Sequence, residues 1–127
     1  MSGIEQLLDI SACLNEFRDL KHGWLEGSGL APSHAGLDWL SQVLGQHYPN
    51  DLPLPYLYPT AIGGVQAEWS LNSYEITLEI DLAAHSVQWC AIDMDTGVAE
   101  SRPLNLDEQK DWDWLLDQIQ QMGKGAS

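Results

Sequence analysis

Residues 65 to 80 read VQAEWSLNSYEITLEI, and their period decides the fold. Val65, Ala67 and Trp69 alternate with Gln66, Glu68 and Ser70. Beyond Asn72 and Ser73, Tyr74, Ile76, Leu78 and Ile80 alternate with Glu75, Thr77 and Glu79. A period of two sends successive side chains to opposite faces of a strand, and the Asn-Ser pair between two such runs marks a turn. The stretch is predicted as an antiparallel hairpin with one apolar and one wet face. Downstream, SVQWCAID at 86–93 and VAESRPL at 98–104 continue the strands around the turn MDTG, whose Asp95 and Gly97 suit a tight reversal. The sheet therefore reads as an antiparallel meander of four to five strands.

Upstream of the hairpin, LPLPYLYP at 52–59 carries Pro53, Pro55 and Pro59, which lack the amide hydrogens a central strand needs. This ribbon is expected to be polyproline-like or an edge strand that blocks sheet extension. Tyr56 and Tyr58 alternate with Leu57, so one set packs and the other is open to a partner.

Helical spacing occupies both ends. Between 4 and 20, Ile4, Leu7, Leu8, Leu14, Phe17 and Leu20 recur at spacings that suit one helix face, with Glu5, Asp9, Glu16 and Asp19 outside. That helix stops in KHGWLEGSG, where Gly23, Gly27 and Gly29 favour loop geometry and Trp24 is expected to fold back onto the core. A second helix is predicted in APSHAGLDWLSQVLGQ, with Pro32 in or near the first turn, Ser33 as its cap, and Leu37, Leu40, Val43 and Leu44 on one face. A third is predicted in LDEQKDWDWLLDQIQQM, with Leu106, Trp112, Leu115, Leu116, Ile119 and Met122 on one stripe and its acids near the start, where they suit the helix dipole. The fold class is therefore α+β: two N-terminal helices, the meander, and a C-terminal helix on one sheet face. Residues 1–122 are expected to form one domain, with 123–127 a flexible tail.

Charge limits the partners. Of 127 residues, 5 are Lys or Arg and 19 are Asp or Glu, a formal net charge of −14. Such a chain repels phosphate backbones and anionic lipid, so direct binding of nucleic acid or membrane is disfavoured and a basic protein surface is favoured. The apolar fraction of 44% is enough for a core without metal or disulfide staples. Cys13 and Cys90 lie far apart and read as buried thiols of a reducing compartment. With no apolar stretch long enough to span a bilayer and no signal-like N-terminus, a cytoplasmic protein is expected.

No cofactor or metal is expected. DMDTG starts like a calcium loop, but the twelfth position counted from Asp93 is Leu104, where a glutamate is required. His22, His34, His47 and His85 lack zinc spacing, and the glycines of EGSGLAPS follow no strand and lead to no P-loop lysine. The wet face of the hairpin carries Glu68, Glu75 and Glu79. If these project together from adjacent strands, their neighbours lie about 5 Å apart, and like charges there cost stability unless solvent or a partner offsets them. Six tryptophans exceed the needs of so short a chain. Trp69, Trp89 and Trp112 fall on inward faces, which leaves one or two of the rest as interface candidates.

HGWLEGSGLAPS, LPLPYLYPTAIGGVQAEWS and YEITLEID together resemble a widespread group of small uncharacterised bacterial and phage proteins. That group combines a W-x-x-G-x-G-like loop before Pro-Ser and a helix, a P-x-P ribbon, a G-G-V-x-x-E-W-like strand and an L-E-I strand. The resemblance covers roughly residues 17 to 100. It implies the same fold and a bacterial or phage origin, and no chemistry. Leu25 and Glu26 stand where many members carry an aspartate.

The function expected from these features is a non-enzymatic, acidic protein-binding module: an inhibitor, immunity or antitoxin-like protein acting on a basic protein, such as a nucleic-acid-binding one. Its candidate contact residues are Glu68, Glu75, Glu79, Tyr56, Tyr58 and Trp24. The alternatives are a small metal-dependent hydrolase using the strand carboxylates, and a structural subunit that forms a homodimer.

Overall fold

The computed structural model describes residue 10 and residues 12–49 and 51–124. A helical segment at 12–18 (α1) is followed by a glycine-rich loop, α2 at His34–His47, and five strands: β1 Tyr56–Pro59, β2 Val65–Leu71, β3 Tyr74–Asp81, β4 Ser86–Asp93 and β5 Ala99–Asn105. Helix α3, Gln109–Lys124, closes the chain. The strands form one antiparallel sheet in sequential order, the predicted meander, so the α+β reading holds.

Two devices set the sheet register. Leu71 pairs with Tyr74 across the two-residue turn, where Asn72 takes the left-handed conformation with φ 55° that asparagine tolerates. Every β2–β3 pair then follows by symmetry about that turn. In β4–β5, Gly97 (φ 77°) donates to the Asp93 carbonyl at 2.7 Å, and Asp93 Oδ1 accepts from Asp95 N. Asp93, two positions before the expected Asp95, thus provides a side-chain bond in this turn, and Thr96 Oγ1 a second by accepting from Val98 N.

Val65, Ala67, Trp69, Ile76, Leu78, Ile80, Val87, Trp89 and Ala91 are buried on one sheet face. The helices cover that face. Leu37, Leu40, Val43 and Leu44 of α2, and Trp112, Leu115 and Ile119 of α3, are buried in the same core, which Leu14 and Phe17 of α1 join. His47 stacks on Trp112 with ring centroids 5.0 Å apart, and Trp114 meets Trp89 edge-on at 5.3 Å, joining α3 to α2 and to the sheet. Arg102, on the inner face of β5, lies 4.4 Å above the Trp114 ring. The three tryptophans predicted inward are all buried.

Several boundaries differ from expectation for local reasons. Residues 4–9 of the predicted first helix lie outside the described residues. Ser33 does cap α2, its Oγ accepting from Gly36 N at 2.9 Å, so Pro32 precedes the cap and lies outside the first turn. Leu106 is buried ahead of α3, its carbonyl taken by Trp112 Nε1 at 2.7 Å, which removes it from the helical stripe. Gly123 and Lys124 complete the last turn of α3, and residues 125–127 of the expected tail lie outside the described residues. Cys13 and Cys90 are free and half-buried, less enclosed than predicted, because Cys90 belongs to the open face of β4 and Cys13 to the flank of α1. No helix among the described residues is long and apolar enough to cross a membrane.

Candidate functional site

The proline ribbon becomes an edge strand. Pro55 precedes and Pro59 ends β1, and Cys13 Sγ of α1 lies 3.9 Å from the Leu57 carbonyl. Ahead of β1 the ribbon is pinned from inside the core. The Pro53 carbonyl accepts from the Tyr48 hydroxyl and, at 3.1 Å, from Trp69 Nε1. Burial pushes the Tyr48 phenol up to about 12, although the Trp69 bond partly counters this. The opposite edge strand, β5, carries Pro103. Prolines on both edges disfavour growth of the sheet by strand addition.

On the open face, cross-strand rows can be read from the register. One runs Tyr56, Glu68, Thr77, Cys90, Ser101; the next runs Tyr58, Gln66, Glu79, Gln88, Pro103. Glu75 stands in a third row, between Ser70 and Ile92. The three glutamates share this face as predicted. The expectation that like charges oppose one another is corrected: Glu68 faces Thr77, Glu75 faces Ser70, and Glu79 faces Gln66. The two-residue turn dictates those pairs, and they separate every carboxylate from its like by a neutral partner. Two of the three are also hydrogen-bonded, Glu68 by Gln66 Nε2 at 3.2 Å and Glu75 by Ser70 Oγ at 2.7 Å. Among the described residues Glu79 has no hydrogen-bond or ion-pair partner.

Trp24 serves its own loop. Its indole Nε1 donates to the Leu30 carbonyl at 2.9 Å, and a Cβ at Gly29 (φ 93°) would stand 3.1 Å from that nitrogen, so the ring lies flat against glycine backbone. It is half-buried and outside the core cluster, which corrects the expected packing onto the core: the glycine loop is short enough for the ring to close it. The loop is tied to the segment after β1, because Leu30 N donates to the Ala61 carbonyl at 2.8 Å and Leu30 bridges Ile62. Gly64 then passes so close to β3 that a Cβ there would lie 2.6 Å from the Ile80 carbonyl oxygen.

The glycine loop, the end of the proline ribbon and the L-E-I strand thereby meet around an open cleft of about 610 Å³. His22, Leu30, Thr60, Ile62, Gln66, Glu79 and Asp81 are among its lining residues. His22 Nδ1 accepts from Ala31 N at 3.2 Å, and Thr60 Oγ1 accepts from Gly64 N at 2.9 Å. Asp81 Oδ1 accepts from Ala83 N and Ala84 N in the β3–β4 turn. Of the cleft residues, Ile62 is 83% and Leu30 53% exposed; Tyr58 (47%) and Tyr56 (71%) follow along β1, and Met94 (62%) and Val98 (60%) are exposed at the β4–β5 turn.

Of the sequence candidates, Glu79 lines this cleft, Tyr58 is one register position away across Gln66, and Trp24 shapes the wall from behind. Tyr56 and Glu68 form the next row, and Glu75 lies farthest along β3. Sequence reasoning missed the contribution of Leu30 and Ile62, since an exposed apolar residue in a loop has no periodic signal. It also missed a cluster on the far side of the β3–β4 turn, where His85 (φ 58°) stacks on Trp39 at 3.9 Å and reaches Asp107. Asp107 is held below the ordinary carboxylate range, first by its bond to His85 and then by the one from Trp39 Nε1. Burial raises the Cys13 thiol, with Glu16 adding to the effect, which makes it a poor nucleophile.

Among the described residues no three His, Cys, Asp or Glu side chains are grouped so as to hold a metal ion. No protein-family model, curated protein or solved structure matches the chain.

Proposed function

We propose that this chain is a non-enzymatic protein-binding module, an inhibitor, immunity or antitoxin-like protein, whose partner presents a basic surface. The observation that carries the reading is the set of exposed apolar side chains on and just beyond β1, Tyr56, Tyr58 and Ile62, with Leu30 bridged to Ile62, together with Glu79, which has no partner among the described residues, in a chain of net charge −14. Exposed aromatic and aliphatic groups supply contact area at low entropic cost, and the surrounding negative field speeds encounter with a cation-rich surface. The few basic side chains weaken that field little: Arg18 is paired with Asp38 and Arg102 lies on Trp114. The prolines at both sheet edges favour contact through the face and cleft over strand addition. The hydrolase alternative gains no support from the face, where the three glutamates stand in separate rows opposite neutral partners.

The test is a comparative capture from a lysate of the native host, using the wild-type chain and a Tyr56→Ala, Tyr58→Ala, Ile62→Ala variant. A partner held by the first and lost by the second, with an association rate that falls as salt rises, is the expected result. Equal capture by both, or a rate indifferent to salt, overturns the reading.

A further inference from the structure

We propose that the cleft between the glycine loop and the β2–β3 hairpin is a docking site for an arginine side chain presented by the partner; this rests on the protein-binding reading above. Two carboxylates, Glu79 and Asp81, line it, and among the described residues no lysine or arginine does. Gln66 Nε2 donates to Glu68 Oε2 at 3.2 Å, which turns the amide so that Gln66 Oε1 remains an acceptor. Directly across the strand pair stands Glu79, a carboxylate with no partner among the described residues. Thr60 Oγ1 and Asp81 Oδ1 are already committed to backbone amides. The side-chain acceptors left are Gln66 Oε1, the Glu79 carboxylate and Asp81 Oδ2; among the described residues the side-chain donors of the lining are the Ser33 and Thr60 hydroxyls and His22 Nε2.

A ligand that fits must therefore bring donors and positive charge. Guanidinium has five N–H donors, no acceptor and a rigid fork, so it can bridge two acceptors on adjacent strands about 5 Å apart. An ammonium is a compact point charge that one carboxylate satisfies, and it gains less from the paired geometry. The apolar wall also suits arginine. Leu30 is 53% and Ile62 83% exposed at the cleft, and both can cover the methylene stem of a long basic side chain whose head is charge-paired. Tyr58, adjacent to Gln66 on the edge strand, is placed to meet residues flanking that arginine.

The probes are capped pentapeptides in which one central residue among alanines is arginine, lysine or the neutral isostere citrulline, with arginine amide as a free small molecule. Amide chemical shifts of the full-length chain are followed by NMR at low ionic strength up to millimolar peptide. The arginine peptide is expected to bind saturably and to move the Gly63, Gly64 and Glu79 amides. Lysine should bind more weakly, and citrulline roughly ten-fold or more weaker, as should the arginine peptide with Glu79→Gln, since a hydrogen bond to a charged group is lost. Glu75→Gln, on the same face but in a different row, should bind like wild type, and an unchanged spectrum of each free variant shows that it is folded.

Absent saturation, equal binding of citrulline, or indifference to Glu79→Gln overturns the arginine site. So does tighter binding of free arginine amide than of the peptide, which would make the cleft a small-molecule pocket. If a captured partner depends on Tyr56 and Tyr58 while Glu79→Gln changes nothing, the arginine site fails and the protein-binding reading stands. If the peptide results hold but no protein partner is captured, the protein-binding reading fails instead.

Discussion

His85 Nδ1 lies 2.8 Å from Asp107 Oδ2, joining the β3–β4 turn to the connection between β5 and α3. The other carboxylate oxygen accepts from Trp39 Nε1 of α2 at 3.0 Å, and the Trp39 ring stacks on His85. One aspartate thus ties a helix, a turn and a loop that are far apart in sequence. His85 also holds a left-handed backbone conformation, φ 58°, which histidine adopts more readily than most side chains.

Acid stability should depend on that aspartate. Its pKa is lower in the folded chain than in the unfolded one, so its stabilisation is present above the ordinary aspartate range and is lost as pH falls through and below that range. Asp107→Asn should be less stable than wild type at neutral pH and should lose less stability on acidification below about pH 4. Denaturant midpoints measured across that range check this. Parallel acid limbs would show that other carboxylates dominate.

At the alkaline end Tyr48 contributes. Its phenol titrates at about 12 in the folded chain, above the ordinary 10.0, because it is buried. A raised value for a group that becomes charged on deprotonation means stability is complete below pH 10 and declines as pH rises toward 12. Tyr48→Phe should cost about 1 kcal/mol at neutral pH, because Pro53 loses one of its two donors. It should also remove the most alkaline component of the phenolate absorbance titration. A substitution that leaves the alkaline unfolding limb unchanged would contradict this assignment.

Two glycines of α2 should respond oppositely to alanine. At Gly45 a Cβ meets nothing within 4 Å, so Gly45→Ala should stabilise by about 0.5–1 kcal/mol through helix propensity. At Gly36 a Cβ would stand 2.6 Å from Leu82 Cβ and 2.8 Å from Ser33 Oγ, crowding both the β3–β4 turn and the helix cap. Gly36→Ala should destabilise by about 1–3 kcal/mol. Thermal unfolding of the pair decides it, and shifts of the same sign would refute the packing argument.

The hairpin was legible because its period of two and its Asn-Ser turn are local signals that burial reinforces. The same turn implied that Glu68 faces Thr77, and Glu75 faces Ser70, yet attention to charge alone suggested opposed glutamates. Helix α2 was legible from Ser33 and its leucine spacing, whereas Leu106 passed for a helical position because a buried loop residue can fall on a helical period by chance. The cleft was not legible. It arises where Leu30 bridges Ile62 and Gly64 approaches Ile80, contacts between segments whose separation no periodicity encodes.

The glutamate face offers the clearest separation of folding from binding. Because each of Glu68, Glu75 and Glu79 opposes a neutral residue, their mutual repulsion acts only along diagonals of about 7–8 Å, where exposed charges interact weakly in salt. Replacing all three by glutamine should therefore leave the melting temperature within about 2 °C of wild type, corresponding to a few tenths of a kcal/mol. Glutamine can still accept from Ser70 and Gln66, so the local hydrogen bonds survive. Association with a basic partner should respond differently, slowing as negative charge is removed and losing part of its salt dependence. Calorimetric melting and stopped-flow mixing at two ionic strengths measure the two effects on the same samples. A rise of many degrees in melting temperature would mean that the carboxylates crowd one another after all, and an unchanged association rate would remove the open face from the contact surface.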